Sequence, residues 1–151
     1  MPEGAVTDYF RLFNEIGIIG QLSRTLLEAR LPPGFVAAQF SVLNHLVRVG
    51  NGRTPLAIAQ AFQVPKNSMT HSLTVLERAS LIEIRKNPQD GRSKLVYITD
   101  GGRNFRAEVI DALAPDVARI AAAFPPEFVA RLLPDLENLR KFLDADRDPS
   151  A

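Results

Sequence analysis

Between Pro65 and Ala79 the chain reads PKNSMTHSLTVLERA, and the polar residues of this stretch are of a particular kind. Placed at about 100° per residue, Asn67, Thr70, His71, Thr74 and Arg78 fall on one side of a helix, with Lys66 and Ser68 near its start. Met69, Leu73 and Leu76 fall together on the other side and should face a core. A merely solvated helix face would carry more Glu and Lys. Amides, hydroxyls and imidazole can hydrogen-bond the edges of bases, and a helix start can meet a phosphate. The face therefore suits a nucleic-acid groove.

A second group follows. Asp90 and Arg92 are separated by one glycine in a stretch dense in turn residues, Asn87-Pro88-Gln89-Asp90-Gly91. Arg92 can enter a minor groove, where a narrow groove concentrates negative potential. Asp90 would repel phosphate, so its expected role is to orient a nearby arginine, either Arg92 or Arg85. Lys86 and Lys94 can reach flanking phosphates. The plainer reading is a solvated hairpin with a surface ion pair, worth about 0–1 kcal/mol.

Charge agrees with the first reading. From Arg53 to Lys94 there are seven cations (Arg53, Lys66, Arg78, Arg85, Lys86, Arg92, Lys94) and three carboxylates (Glu77, Glu83, Asp90). The segment carries +4 in a chain of net +1, leaving the other 109 residues at −3. A local basic island is the footprint of a polyanion site.

The elements that must position these groups are mostly helical. The spacing predicts helices over residues 7–30, 35–49, 56–62, 65–79, 101–123 and 126–145. Thr54-Pro55 starts the third of these, with Pro65 opening the fourth: a helix, a tight turn and a helix. Phe40, Leu43 and Leu46/Val47 form the apolar face of the second. Residues 81–85 and 94–98 read as two strands joined by a long tip. Pro115 is expected to kink the fifth helix, and Pro134 to interrupt the last. Gly17 and Gly20 in the first helix suit either close approach of another helix or a local bend. Residues 1–7 and the tail from Asp146 are expected to be irregular.

The 151 residues favour one domain, and 46% hydrophobic with 23% charged residues is ordinary for a globular chain. The absence of cysteine excludes disulfides, thiolate metal sites and cysteine redox switching. No signal-peptide pattern opens the chain, and no apolar run nears the roughly 20 residues of a membrane span, so a cytoplasmic location without membrane association is expected. There is no glycine-rich phosphate loop, serine elbow or metal-spaced histidine pair, so neither enzyme activity nor a cofactor is expected.

The segment Gln89-Asp90-Gly91-Arg92-Ser93, followed by Tyr97-Ile98-Thr99-Asp100 and Gly102-Arg103, resembles the wing signature of the MarR family of bacterial transcriptional regulators. Leu56-Ala57, Ala61, Val64, Thr70, Leu76-Glu77 and Leu81-Ile82 resemble that family's helix-turn-helix, and Gln39-Phe40, Val42-Leu43 and Leu46 its second helix. Two positions depart from the pattern. Ser80 stands where the family usually has glycine and would have to accept a left-handed turn. His71 stands where arginine is frequent, which can make DNA affinity pH-dependent because histidine titrates at about pH 6.5.

The resemblance implies a mainly α fold with a small β-hairpin, built as a single domain over residues 1–151. Residues 35–99 would form the winged helix-turn-helix lobe, and residues 7–30 and 101–145 the dimerisation helices. It implies a homodimer on double-stranded DNA, reading a palindromic operator, most simply as a repressor. It also implies a small aromatic or acidic ligand between the dimer helices and the DNA lobe, lined by the first and second helices and the start of the fifth. Arg24, Phe40 and His45 are the contacts expected there. The alternative for the same elements is a winged-helix module that binds protein.

Overall fold

The computed structural model describes residues 2–147. Among them are seven α-helices and one antiparallel hairpin: α1 (Ala5–Glu28), α2 (Ala37–Val49), α3 (Pro55–Ala61), α4 (Lys66–Arg78), β1 (Ile82–Asn87), β2 (Asp90–Ile98), α5 (Asp100–Ala112), α6 (Ala114–Ala123) and α7 (Pro126–Arg147). The chain divides into two compact units at Leu113/Ala114. Met1 and residues 148–151, at the ends expected to be irregular, lie outside the described residues. Within them, helix already begins at Ala5 and continues to Arg147.

The first unit is built on α2, α3, α4 and the hairpin. Val42, Leu43 and Leu46 of α2 meet Ile58 and Ala59 of α3 and Met69, Leu73 and Leu76 of α4. Leu81, Ile82, Val96 and Ile98 close the cluster, with Phe35, Phe62, Ile84 and Phe105 packed against it. The α4 face expected to be apolar is buried as its spacing requires. On α2, Val42 takes the core position and Val47 is exposed instead.

Both ends of α3 and α4 follow from local chemistry. Thr54 accepts the Ala57 amide at 3.1 Å, and Pro55 fills the first helical position, where no amide is needed. α3 then ends on Gln63 at φ 51°, with Gln63 N donating to Gln60 O and Val64 N to Ala59 O. α4 ends the same way on Ser80 at φ 59°, with Ser80 N donating to Glu77 O and Leu81 N to Leu76 O. Each is a Schellman ending with a side chain in the left-handed region that glycine usually occupies. Pro65 stands at the N-cap of α4, one residue outside the helix that it was expected to open.

The hairpin is longer than its sequence suggested. β1 and β2 pair from Ile82↔Ile98 to Lys86↔Lys94, and a shift at Asn87↔Asp90 leaves only Pro88-Gln89 as the turn. Asn87 organises that turn: its Oδ1 accepts the Gln89 amide at 3.0 Å and its Nδ2 donates to Ser93 Oγ at 2.9 Å. A single bridge, Arg53↔Val96, adds a fragment of a third strand.

Beyond the hairpin, Thr99 caps α5 by accepting the Gly102 amide at 3.0 Å, while its hydroxyl donates to Ser80 O at 2.7 Å. The proline expectations need correcting. α5 stops at Ala112, so Pro115 does not kink a continuous helix; it lies in the first turn of α6, where its missing amide has no helical acceptor. α7 runs unbroken through Pro134. The carbonyl that Pro134 leaves unserved belongs to exposed Ala130, which water can satisfy. In this second unit, α6 and α7 border an apolar groove of about 430 Å³ lined by Val117, Ile120, Phe124, Val129 and Leu133.

Two substitutions test this framework. A Cβ on Gly102 would overlap the Leu81 carbonyl oxygen and stand 2.8 Å from Ile98 Cγ1. Gly102→Ala should therefore lower unfolding stability in urea by about 3 kcal/mol or more; a loss under about 1 kcal/mol would mean that the junction can open. At Ser80 the left-handed backbone costs a non-glycine residue about 1–2 kcal/mol, part of which glycine returns through unfolded-chain entropy. Ser80→Gly should raise stability by about 0.5–1 kcal/mol, and a lower midpoint would contradict the strain.

Candidate nucleic-acid interface

The candidate residues of α4 lie outside its buried face, but they do not share one setting. Lys66, Asn67, Thr70 and His71 are exposed, and Thr74 is half-buried. Thr70 donates its hydroxyl to Lys66 O at 2.9 Å, and Thr74 to Thr70 O at 2.8 Å. Their oxygens remain acceptors and their methyl groups remain apolar contacts. Asn67 and His71 have no hydrogen-bond partner among the described residues, so both carry free donors and acceptors. Pro65 supplies no side-chain cap, which leaves the first amides of α4 open beside Lys66. Ser68 is turned about 100° from Asn67 and lines a cavity on the other flank of the helix.

On the hairpin, Lys86 and Lys94 are directly opposed across the strands, and neither has an ion-pair partner among the described residues. Opposed like charges destabilise a free hairpin, and a polyanion removes that cost. Arg92 is exposed near the tip, held through its backbone: its amide donates to Asp90 Oδ1 at 3.0 Å. Asp90 thus shapes the tip and fixes where the Arg92 side chain starts.

Asp90 does not hold Arg85. The Arg85 guanidinium donates to Glu83 Oε2 at 2.9 Å and lies over the Tyr97 ring, 4.3 Å from its centroid. Alternation along β1 puts Glu83 and Arg85 on one face, whereas Asp90 lies beyond the last regular pair. The hydrogen bond and charge of Arg85 lower the Glu83 carboxyl below its ordinary range, and those of Glu83 raise the Arg85 guanidinium above its own.

The expected ligand contacts are not brought together. Arg24 lines a cavity of about 460 Å³ with residues of α1, α2, α4 and the α3–α4 turn, not with the start of α5. Phe40 is buried, only 8% exposed, and does not line it. His45 stands behind the wall, packed on Phe62 with ring centroids 5.2 Å apart, its Nδ1 3.3 Å from Arg48 Nη2. Phe62, Ser41 and Ser72 line the cavity and were not expected there. Ser68 and Ser72, one turn apart on the flank between the outward and core faces of α4, were the available signal.

The Glu83–Arg85 pair gives a pH prediction. A lowered Glu83 pKa means that its contribution is present above the ordinary carboxylate range and is lost as pH falls through the folded-state value. Carbon NMR titration should find Glu83 below that range, and Arg85→Gln should return it there; an unmoved midpoint would show that the pair is not formed.

Comparison with known proteins accounts for this arrangement. Residues 34–93 match the model of the MarR family. The multiple antibiotic resistance protein MarR of Escherichia coli (strain K12) is 34% identical over 99 residues, which cover 60% of this chain and 68% of that protein. A mutant of E. coli MarR complexed with operator DNA has a similar structure, with TM-score 0.67 and 25% identity over 89% of this chain and 97% of that one. The transcriptional regulator BldR of Sulfolobus solfataricus is similar at TM-score 0.73 and 25% identity, over 95% and 99% of the two chains. With the wing, the helix-turn-helix and the flanking helices in this order, the chain belongs to the MarR family of DNA-binding transcriptional regulators.

Proposed function

We propose that this regulator binds a palindromic operator as a homodimer and acts as a repressor in the cytoplasm. α4 lies in the major groove with Asn67, Thr70, His71 and Thr74 toward the bases, while Arg92 enters the adjacent minor groove. Lys66, Lys86 and Lys94 take phosphates. The observation that carries this reading is the free polar face of α4 beside a hairpin whose opposed lysines have no anionic partner. The operator DNA complexed with the E. coli relative supports the same class of target here.

The dimer is inferred from apolar surface. α1 has 24 residues and buries none, leaving Tyr9, Phe10, Phe13, Ile19 and Leu22 exposed. A surface of that kind is expected to be covered by another chain. Two copies would read half-sites about 34 Å apart, one helical turn of DNA. A small organic anion in the cavity beside Arg24 would release the DNA, since α1 and α4 both contribute to its walls.

Six lysines from two copies should give a slope of about −5 for log affinity against log salt on a selected palindrome. Arg92→Ala should cost about 1–3 kcal/mol of binding with an unchanged melting curve. Flat salt dependence, or full affinity without Arg92, would overturn the interface. Sedimentation equilibrium should return twice the chain mass of 16.6 kDa.

A further inference from the structure

The cavity beside α1 has one cation among its lining residues, Arg24, and that cation is already engaged. Arg24 Nε donates to Glu28 Oε1 at 3.4 Å, one turn along α1. The same oxygen accepts the Ala37 amide at 3.1 Å. Ala37 opens α2 and is only 5% exposed. Val36 has no side-chain oxygen with which to cap this helix, and Glu28 reaches across from α1 to serve its first amide. One carboxylate oxygen therefore serves both the cation at the cavity and the first amide of the next helix.

The cavity itself suits an anion with a flat apolar body. Leu27, Phe62 and Met69 give it apolar walls, Ser41 and Ser72 give hydroxyls, and no carboxylate is among its lining residues. A ligand carboxylate drawn to Arg24 meets Glu28 as a like charge competing for the same guanidinium. We propose that Glu28 is a built-in competitor for the ligand, a positioning residue that sets the affinity of the cavity for aryl carboxylates. This rests on the ligand reading given above for the same cavity.

Competition at Arg24 also touches the joint between α1 and α2. When the guanidinium turns to a ligand, Glu28 loses its partner but remains the acceptor for Ala37. Two residues further on, Gln39 accepts the Val36 amide through Oε1 at 2.8 Å and donates through Nε2 to Ser72 Oγ at 3.5 Å. Gln39 and Ser72 are 4% and 6% exposed. The start of α2 is thus tied on one side to the competing carboxylate and on the other to the helix assigned to read DNA.

Glu28→Gln separates charge from structure, because the amide oxygen still accepts from Ala37 while the negative charge is gone. The probes are 2-naphthoate and its neutral analogue 2-naphthamide, titrated by calorimetry into the full-length protein. In Glu28→Gln, 2-naphthoate should bind about tenfold more tightly and release operator DNA at a correspondingly lower concentration, as removal of one nearby like charge requires. Affinity for 2-naphthamide should stay within about twofold, since it presents no charge for Glu28 to oppose. Arg24→Ala should abolish the preference for the anion. An equal gain for both probes would mean that the cavity was reshaped, and no gain for 2-naphthoate would mean that Glu28 does not compete; either result overturns the proposal. If wild type binds neither probe, or Arg24→Ala leaves 2-naphthoate binding intact, the ligand reading fails and takes the proposal with it. Thermal melts of all three proteins check that they are folded.

Discussion

The Leu81 carbonyl is where the first unit is locked. It accepts the Thr99 amide at 3.1 Å, and it sits so close to Gly102 that no side chain fits there. One residue earlier, Ser80 completes the α4 ending and offers its carbonyl to the Thr99 hydroxyl. The end of α4, the start of β1, the end of β2 and the cap of α5 therefore converge within a few ångströms. Helix α4 cannot change its angle to the hairpin without breaking bonds on both sides of this junction. That rigidity lets a few exposed side chains on two elements work as one surface.

The surface is held in an uncompensated state. Carboxylates that could neutralise it are occupied or face elsewhere: Glu83 is paired with Arg85, and Asp90 is spent on a backbone amide. The opposed lysines and the open amides of α4 stay without anionic partners among the described residues. Folding has accepted a local electrostatic cost, which a polyanion would relieve. The apolar surface of α1 is a comparable case, since a helix with no buried residue gains little from its own chain.

Much of this was legible in the sequence because it depended on local rules. The apolar period of α4, the Thr54-Pro55 start and the strand alternation each specify their element alone. The left-handed turn at Ser80 was legible from a missing glycine. Other features needed the third dimension. Pro115 reads as a kink in a long periodic stretch, but a helix end three residues earlier converts it into a favourable start. Asp90 and Arg85 are near in sequence, yet the ladder pins Arg85 on Glu83 and Tyr97. Phe40 and His45 suggested a ligand wall by residue type, and rotation about α2 buries one and sets the other behind Phe62. Glu28 stands four residues after Arg24, a legible helical pair, but its bond to Ala37 left no sequence signal, because that partner is a backbone amide in another helix.

The third-strand fragment also bears on solubility. A two-stranded hairpin has two open edges, each a template for pairing with a stray chain. On β2 that edge is occupied at its core end: Gly52 N donates to Val96 O, Val96 N to Arg53 O, and the Asn51 side chain accepts the Ile98 amide at 2.8 Å. Asn51 thus does with an amide side chain what another strand would do with its backbone. The remaining edge, on β1, carries Glu83, Arg85 and Lys86, whose charges oppose the close approach of a like strand. The projecting hairpin thus offers a stray strand little edge to pair with.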